Sequence, residues 1–157
     1  MERDISIPDW FWTLLDESRP SLQALALLLE GLPRERLIQF AQLYRAAAEE
    51  VCDYSRGPVV DDIRFSEDDT EDLCNWVVGQ GQSMWQRALS LGADLEPIVR
   101  LYWATEANHE GSQLAWTIEV DNAAYHGYQA PEYIAHGVFA ERFGEDLNEI
   151  LQGSDGA

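Results

Sequence analysis

The densest group of chemically active side chains is a run of carboxylates at residues 66–72, which read SEDDTED. An EF-hand calcium loop needs oxygen ligands at alternate positions, a central glycine and a glutamate at the twelfth position, and this run lacks that spacing. An acid–base pair needs two carboxyl groups in different environments, one of them partly buried. These acids precede a predicted helix and are expected to face water. The run therefore predicts neither a calcium site nor a catalytic pair.

The same run has the composition of a helix N-terminus. Ser66, Asp69 or Thr70 can cap the helix, and acids in the first turn, such as Asp69 and Glu71, stabilise it by about 0.3–1 kcal/mol each. Capping accounts for only part of the charge, because residues 49–72 hold ten acids and two arginines, a net charge of −8. The surplus predicts a surface that binds an arginine- or lysine-rich protein, and a solvated acidic face without a partner is the alternative. The predicted partner-binding residues are Asp61, Asp62, Glu67, Asp68, Asp69, Glu71 and Asp72.

A second constellation combines Glu106 and His109, spaced as ExxH, with Glu119 and His126 further along the chain. Di-iron bundles need two such motifs and two further glutamates on facing helices, and the sequence has one ExxH. The nucleophile and zinc motifs GxSxG and HExxH are absent, and GQGQS lacks the lysine of a phosphate loop. The sequence thus predicts no metal, no cofactor and no enzymatic activity. A carboxylate–histidine metal enzyme built on these four residues is the least favoured alternative.

Tryptophan is abundant, with six residues in the chain. At helical spacing tryptophans are typical of a core. A helical domain that senses a small ligand in an aromatic-lined pocket is the other interpretation.

Composition limits the class of protein. The 157 residues suit one domain, and a hydrophobic fraction of 46% argues against disorder despite the charge. The net charge is −19, from 29 acids and ten arginines, with no lysine. A GC-rich genome or a halophilic host would also give this composition. A strongly negative chain repels phosphate, so direct nucleic-acid binding is not expected.

The cysteines and the apolar segments predict a cytoplasmic protein. Cys52 and Cys74 form no CxxC motif and are expected to be free thiols in a reducing compartment. The start MERDISIPDW has no basic and apolar signal-peptide regions, and LQALALLLEGL is too short to span a membrane. We therefore expect a cytoplasmic location without membrane contact.

Apolar residues recur at helical spacing almost throughout the chain. Helices are predicted from Pro8 to Ser18, around 22–30, from Pro33 to about residue 55, from Thr70 unbroken to Leu89, and in three later segments at about 94–107, 112–125 and 131–151. Gly79 and Gly81 lie inside the fourth helix, where a kink or a break is the competing interpretation. Residues 58–68 fit either a helical turn or a short extended piece. The fold is predicted to be a single all-α domain, a compact bundle of about seven to eight helices, ordered over about 7–152 with a frayed tail at 153–157.

Four segments of the chain are similar to a known family. These are WFWTLLDES, LPRERLIQFAQLYRAAAEEV, FSEDDTEDLCNWVVGQGQSMWQRAL and LAWTIEVDNAAYHGYQAP. They resemble the bacterial domain of unknown function 4240 family, through Phe11, Trp12, Leu14, Leu15 and Asp16 near the start and Ser66, Glu67, Asp68, Trp76, Val77, Val78 and Gly81 later. Ile63, Arg64 and Phe65 stand where that family has a glycine-rich turn. The resemblance implies an all-α cytoplasmic bacterial domain, sometimes linked to regulators or toxins, and implies no activity.

Overall fold

A computed structural model of the chain describes residues 7–107, 114–116 and 130–155. These ranges contain eight α-helices and one two-stranded hairpin, so the all-α prediction is confirmed for them. The helices are α1 (Asp9–Ser18), α2 (Leu22–Glu30), α3 (Arg34–Val51), α4 (Glu67–Gly79), α5 (Gln82–Leu91), α6 (Glu96–Ala107), α7 (Pro131–Phe143) and α8 (Leu147–Asp155).

The connection between α3 and α4 is compact and partly extended. A 3-10 turn at Tyr54–Arg56 is followed by β1 (Val59–Val60) and β2 (Ile63–Arg64), which pair antiparallel with Val59 opposite Arg64 and Val60 opposite Ile63. Asp61 and Asp62 form the turn, with φ of 53° and 64°. Positive φ at both positions is the pattern of a type I′ turn, which matches the twist of a hairpin, and aspartate tolerates it better than most residues do. Of the two structures expected for residues 58–68, the extended one is present.

The predicted continuous helix over residues 70–89 is wrong. The structure has two helices there: α4 begins at Glu67 and ends at Gly79, and α5 begins at Gln82. Gly81 between them has φ of 100° and ψ of 176°, a backbone conformation essentially restricted to glycine. The break that the two glycines allow is therefore the correct interpretation.

The described residues group into two compact units. In the first, which covers Tyr44–Ala115, α4 contacts the 3-10 turn, α5 and α6. Two buried side chains donate to backbone oxygens there: the Tyr44 hydroxyl to Asn75 at 2.9 Å and the Trp85 indole to Ala47 at 2.9 Å. These bonds satisfy polar groups that would otherwise destabilise the core.

The second unit combines Asp9–Leu43 with Trp116–Ala157. There α2 packs against α1 and α7, and α7 packs against α8. Phe11 and Phe40 are buried with ring centres 5.1 Å apart. The prediction of a single domain stays a prediction.

One predicted helix falls mostly outside the described residues. Leu114 and Ala115, expected near the start of a helix over 112–125, lie instead in a turn, and the helix is wrong at these positions. The remainder of that segment is not among the described ranges.

The prediction of one last helix over 131–151 is wrong, because α7 ends at Phe143 and α8 begins at Leu147. Gly144, which follows α7, has a φ of 65° and ends that helix. α8 continues to Asp155, past the predicted limit near residue 152.

Candidate partner-binding surface

The start of α4 shows how the sequence positions its carboxylates. Ser66 is the N-cap residue, and its Oγ accepts a hydrogen bond from the Asp69 amide at 3.0 Å. The buried Thr70 hydroxyl donates to the Ser66 carbonyl oxygen at 2.6 Å and fixes the entry of the chain. Ser66 is thus the cap among the three candidates. Glu67, Asp68 and Asp69 occupy the first turn, where acids favour the helix dipole.

The acids of α4 face solvent because the opposite face of the helix packs against the core. Thr70, Leu73, Cys74 and Val77 are buried, and with 3.6 residues per turn the positions between them face away from the core. The seven predicted partner-binding residues together are called the acidic surface below, and all seven are exposed: Asp61, Asp62, Glu67, Asp68, Asp69, Glu71 and Asp72.

One member of the acidic surface is already paired within the chain. Arg100 on α6 donates from Nη2 to Asp61 Oδ1 at 3.0 Å and from Nη1 to Asp61 Oδ2 at 3.3 Å. Its Nε also donates to Glu96 at 3.0 Å. Within the described ranges, no arginine forms a salt bridge with any of the other six acids. Their negative charge is therefore available to another molecule.

Asp72 shows how crowded these charges are. Partial burial of its carboxyl group, followed by repulsion from Asp69, Asp68 and Glu106, raises its pKa above the ordinary value. Repulsion between like charges has this effect because it disfavours the ionised form. Glu106, which the sequence placed in a metal constellation, thus adds to the negative potential beside the acidic surface.

The metal and enzyme alternative receives no further support from the described residues. Of its four residues, Glu106 is described and exposed, while His109, Glu119 and His126 lie outside the described ranges. Among residues 7–107, 114–116 and 130–155, no three histidine, cysteine or acidic side chains are grouped so as to hold a metal ion.

The six tryptophans are either buried or half-buried. Trp12, Trp85 and Trp116 are buried, which confirms the core interpretation for these three. Trp10 lines an open groove of about 530 Å³ in the second unit. The Arg36 guanidinium lies 4.5 Å from the centre of the Trp10 ring, so the face of this indole already has a cation–π partner.

Both cysteines are free thiols, as predicted. Cys74 is fully buried and Cys52 is half-buried. Burial raises the pKa of each thiol above its ordinary value. Neither thiol is therefore activated as a thiolate nucleophile.

Comparisons with protein-family models, with curated proteins and with solved structures give no match. The resemblance to the domain of unknown function 4240 family accordingly stays a prediction. None of the described helices has both the length and the apolar character required to cross a membrane.

Proposed function

We propose that this is a non-enzymatic binding protein that docks a basic protein partner through its acidic surface, as an inhibitor, an immunity protein or a regulatory adaptor. One observation carries the proposal. The first two turns of α4 present five exposed carboxylates, and none of them forms a salt bridge with an arginine of the described chain. In the same unit, Arg100 does pair with Asp61 and Glu96.

Charge repulsion explains why a basic partner suits this surface. Like charges held close together destabilise the folded chain. The pKa of Asp72 is raised first by partial burial and then by repulsion from Asp69, Asp68 and Glu106. Guanidinium or ammonium groups of a partner would offset it. A toxin or a regulator rich in arginine or lysine has this chemistry, and the proposal places the encounter in the cytoplasm.

The arrangement favours recognition by electrostatic steering. Charges on the rim of an interface act mainly on the association rate. Their effect weakens as salt shortens the Debye length from about 10 Å at 0.1 M to about 3 Å at 1 M. Binding through the acidic surface should therefore weaken steeply with salt, chiefly through slower association.

The test uses two variants with equal charge. The surface variant carries Asp62→Asn, Glu67→Gln, Asp68→Asn and Glu71→Gln. The control variant carries four substitutions of the same kinds at exposed acids of the second unit: Asp9→Asn, Asp16→Asn, Glu141→Gln and Glu149→Gln. Each variant has a net charge of −15 in place of −19. Asp61 is left unchanged, because its removal would release Arg100.

Proteins from the source cells are captured on each form, identified, purified and followed by stopped-flow association. We expect one basic protein to bind the wild type and the control variant, and to associate much more slowly with the surface variant. If both variants lose association equally, or if neither does, the acidic surface serves solubility alone.

A further inference from the structure

A cavity of about 420 Å³ in the first unit lies beside the hairpin, and no acid of α4 lines it. It is lined by the end of α3, the segment through the 3-10 turn, both strands and the loop between α5 and α6. Arg56 from the 3-10 turn and Arg64 from β2 both line it. Two of the chain's ten arginines thus share one small cavity.

Both arginines are exposed. The Asp53 carboxylate lies close enough to interact with Arg56: hydrogen bonds from Ser55, and after them the charge of Arg56, lower the pKa of Asp53. Arg64 donates from Nη1 to the Gly57 carbonyl oxygen at 3.4 Å, and neither arginine forms a salt bridge within the described ranges. Asp53 is the acid that lines the cavity, and its Oδ1 accepts from the Ser55 amide at 3.0 Å and the Ser55 hydroxyl at 2.7 Å. In a chain of net charge −19, two guanidinium groups that line one cavity and form no salt bridge within the described ranges point to an anion from outside the chain.

The other walls suit a small apolar body. Pro58 and Leu95 are buried and line the cavity with Val59. Cys52 also lines it, and burial together with the nearby Asp53 carboxylate raises the pKa of its thiol, so it adds no negative charge at neutral pH.

The backbone holds this cavity in place. Gly57 packs so tightly that an added Cβ would meet the Thr70 hydroxyl and lie 2.5 Å from the Phe65 carbonyl oxygen. The Phe65 amide donates to the Pro58 carbonyl oxygen at 3.0 Å. The backbone that carries Arg56 is therefore fixed against the hairpin and the start of α4.

We propose that this cavity binds a small organic monoanion, a carboxylate with a short apolar body. The carboxylate is held by Arg56 and Arg64, because guanidinium groups bind carboxylates through paired, charge-assisted hydrogen bonds. The body lies against Pro58 and Leu95. The volume falls within the usual range for small-molecule sites, roughly 300–1,000 Å³. A monoanion is favoured over a dianion, since the surrounding negative charge repels each added charge. None of the seven residues of the acidic surface lines this cavity, and the proposal does not depend on the proposed function.

The probe is sodium butyrate at constant ionic strength, with butyramide as its uncharged counterpart and inorganic phosphate as a dianion. Amide NMR titrations are run on the wild type and on Arg56→Gln, Arg64→Gln and Arg87→Gln. Arg87 is an exposed arginine of α5 that does not line the cavity, which makes its variant a matched control.

We expect butyrate to shift the amide resonances of Gly57 and Val59, and the shifts should reach a plateau as the butyrate concentration rises. Its affinity should fall about tenfold or more in the Arg56 and Arg64 variants, the loss of one charged hydrogen bond, and stay unchanged in the Arg87 variant. The proposal is overturned if those amides show no saturable shift, if the Arg87 variant loses as much, or if butyramide or phosphate binds as tightly as butyrate.

Alkylation of Cys52 gives a second, independent measurement. Bound butyrate should slow the reaction of the Cys52 thiol with iodoacetamide, while the buried Cys74 serves as an internal reference. If the Arg64 variant does not fold, protection of Cys52 in the wild type and its loss in Arg56→Gln test the same proposal. An unchanged alkylation rate at butyrate concentrations that saturate the NMR shift contradicts it.

Discussion

Arg100 on α6 holds Asp61 at the hairpin turn through two hydrogen bonds, Nη2 to Oδ1 at 3.0 Å and Nη1 to Oδ2 at 3.3 Å. The two side chains are 50% and 58% exposed, so water screens the pair and its contribution to stability is small. Its larger effect is on charge, since it compensates one acid of the acidic surface and leaves six without an arginine partner in the described chain.

Replacing Arg100 with Gln should strengthen electrostatic steering. The change releases Asp61 and Glu96 and makes the net charge −20 in place of −19. We expect faster association with the basic partner at low salt and little change in melting temperature. The Arg87→Gln variant has the same net charge, and it should leave the association rate near that of the wild type. Equal acceleration in both variants would mean that total charge, and not local charge, sets the rate.

Replacing Ser66 with Ala should destabilise the fold by about 0.5–2 kcal/mol, because the Asp69 amide loses its capping acceptor. Ser66→Asn keeps an acceptor at this position and should retain most of the stability. Urea denaturation followed by circular dichroism measures both. A Ser66→Ala protein as stable as the wild type would show that Ser66 does not stabilise the start of α4.

Replacing Asp72 with Asn should stabilise the protein at neutral pH. The folded-state pKa of Asp72 is raised from 3.8 by partial burial and by neighbouring acids. The ionised form is therefore destabilising above the raised pKa, and protonation on the way down in pH removes that penalty. The gain from Asp72→Asn should shrink as pH falls through the folded pKa toward the ordinary value.

Urea denaturation of wild type and variant from neutral pH down to about pH 5 measures this trend. Asp16→Asn on α1 removes one exposed charge elsewhere and is the control. A gain that grows as pH falls would contradict burial and charge repulsion as the cause of the raised pKa.

Replacing Gly81 with Ala should destabilise the junction of α4 and α5 by on the order of 1–3 kcal/mol, because φ of 100° with ψ of 176° strains any residue with a Cβ. Gly153 is the control, since it lies in α8 with nothing within 4 Å of an added Cβ. Gly153→Ala should be neutral or stabilising by about 0.5–1 kcal/mol. Thermal denaturation separates the two. Equal effects would exclude backbone strain as the reason for Gly81.

Most helix positions were predictable because the buried face of a helix requires apolar residues about every 3.6 positions, and this spacing is visible in the sequence. The break at Gly81 was harder to predict, since Trp76, Val77, Trp85 and Ala88 keep helical spacing across it. The sequence GQG at residues 79–81 was the feature that indicated a break, because a glycine can adopt a positive φ that other residues rarely adopt. The hairpin was ambiguous because each strand has only two residues, too few for an alternating pattern.

The site was predictable in part. Exposure of the acids follows from helix geometry, and the Glu96–Arg100 pair is visible in the sequence as an i,i+4 spacing. The Arg100–Asp61 pair joins positions 39 apart, and only the fold brings them together. The cavity around Arg56 and Arg64 was missed for the same reason, because nothing in residues 49–72 indicates that these two arginines line one space.

Turn stability and partner binding favour different residues at the two positions of the hairpin turn. Asp61 and Asp62 hold positive φ, where Asn-Gly is the preferred pair for a type I′ turn. A chain evolving for rigidity alone would be expected to replace them, and each replacement would remove an anionic group from the acidic surface. An acidic pair kept in related proteins would therefore indicate selection for partner binding, and its replacement by Asn-Gly would indicate selection for stability.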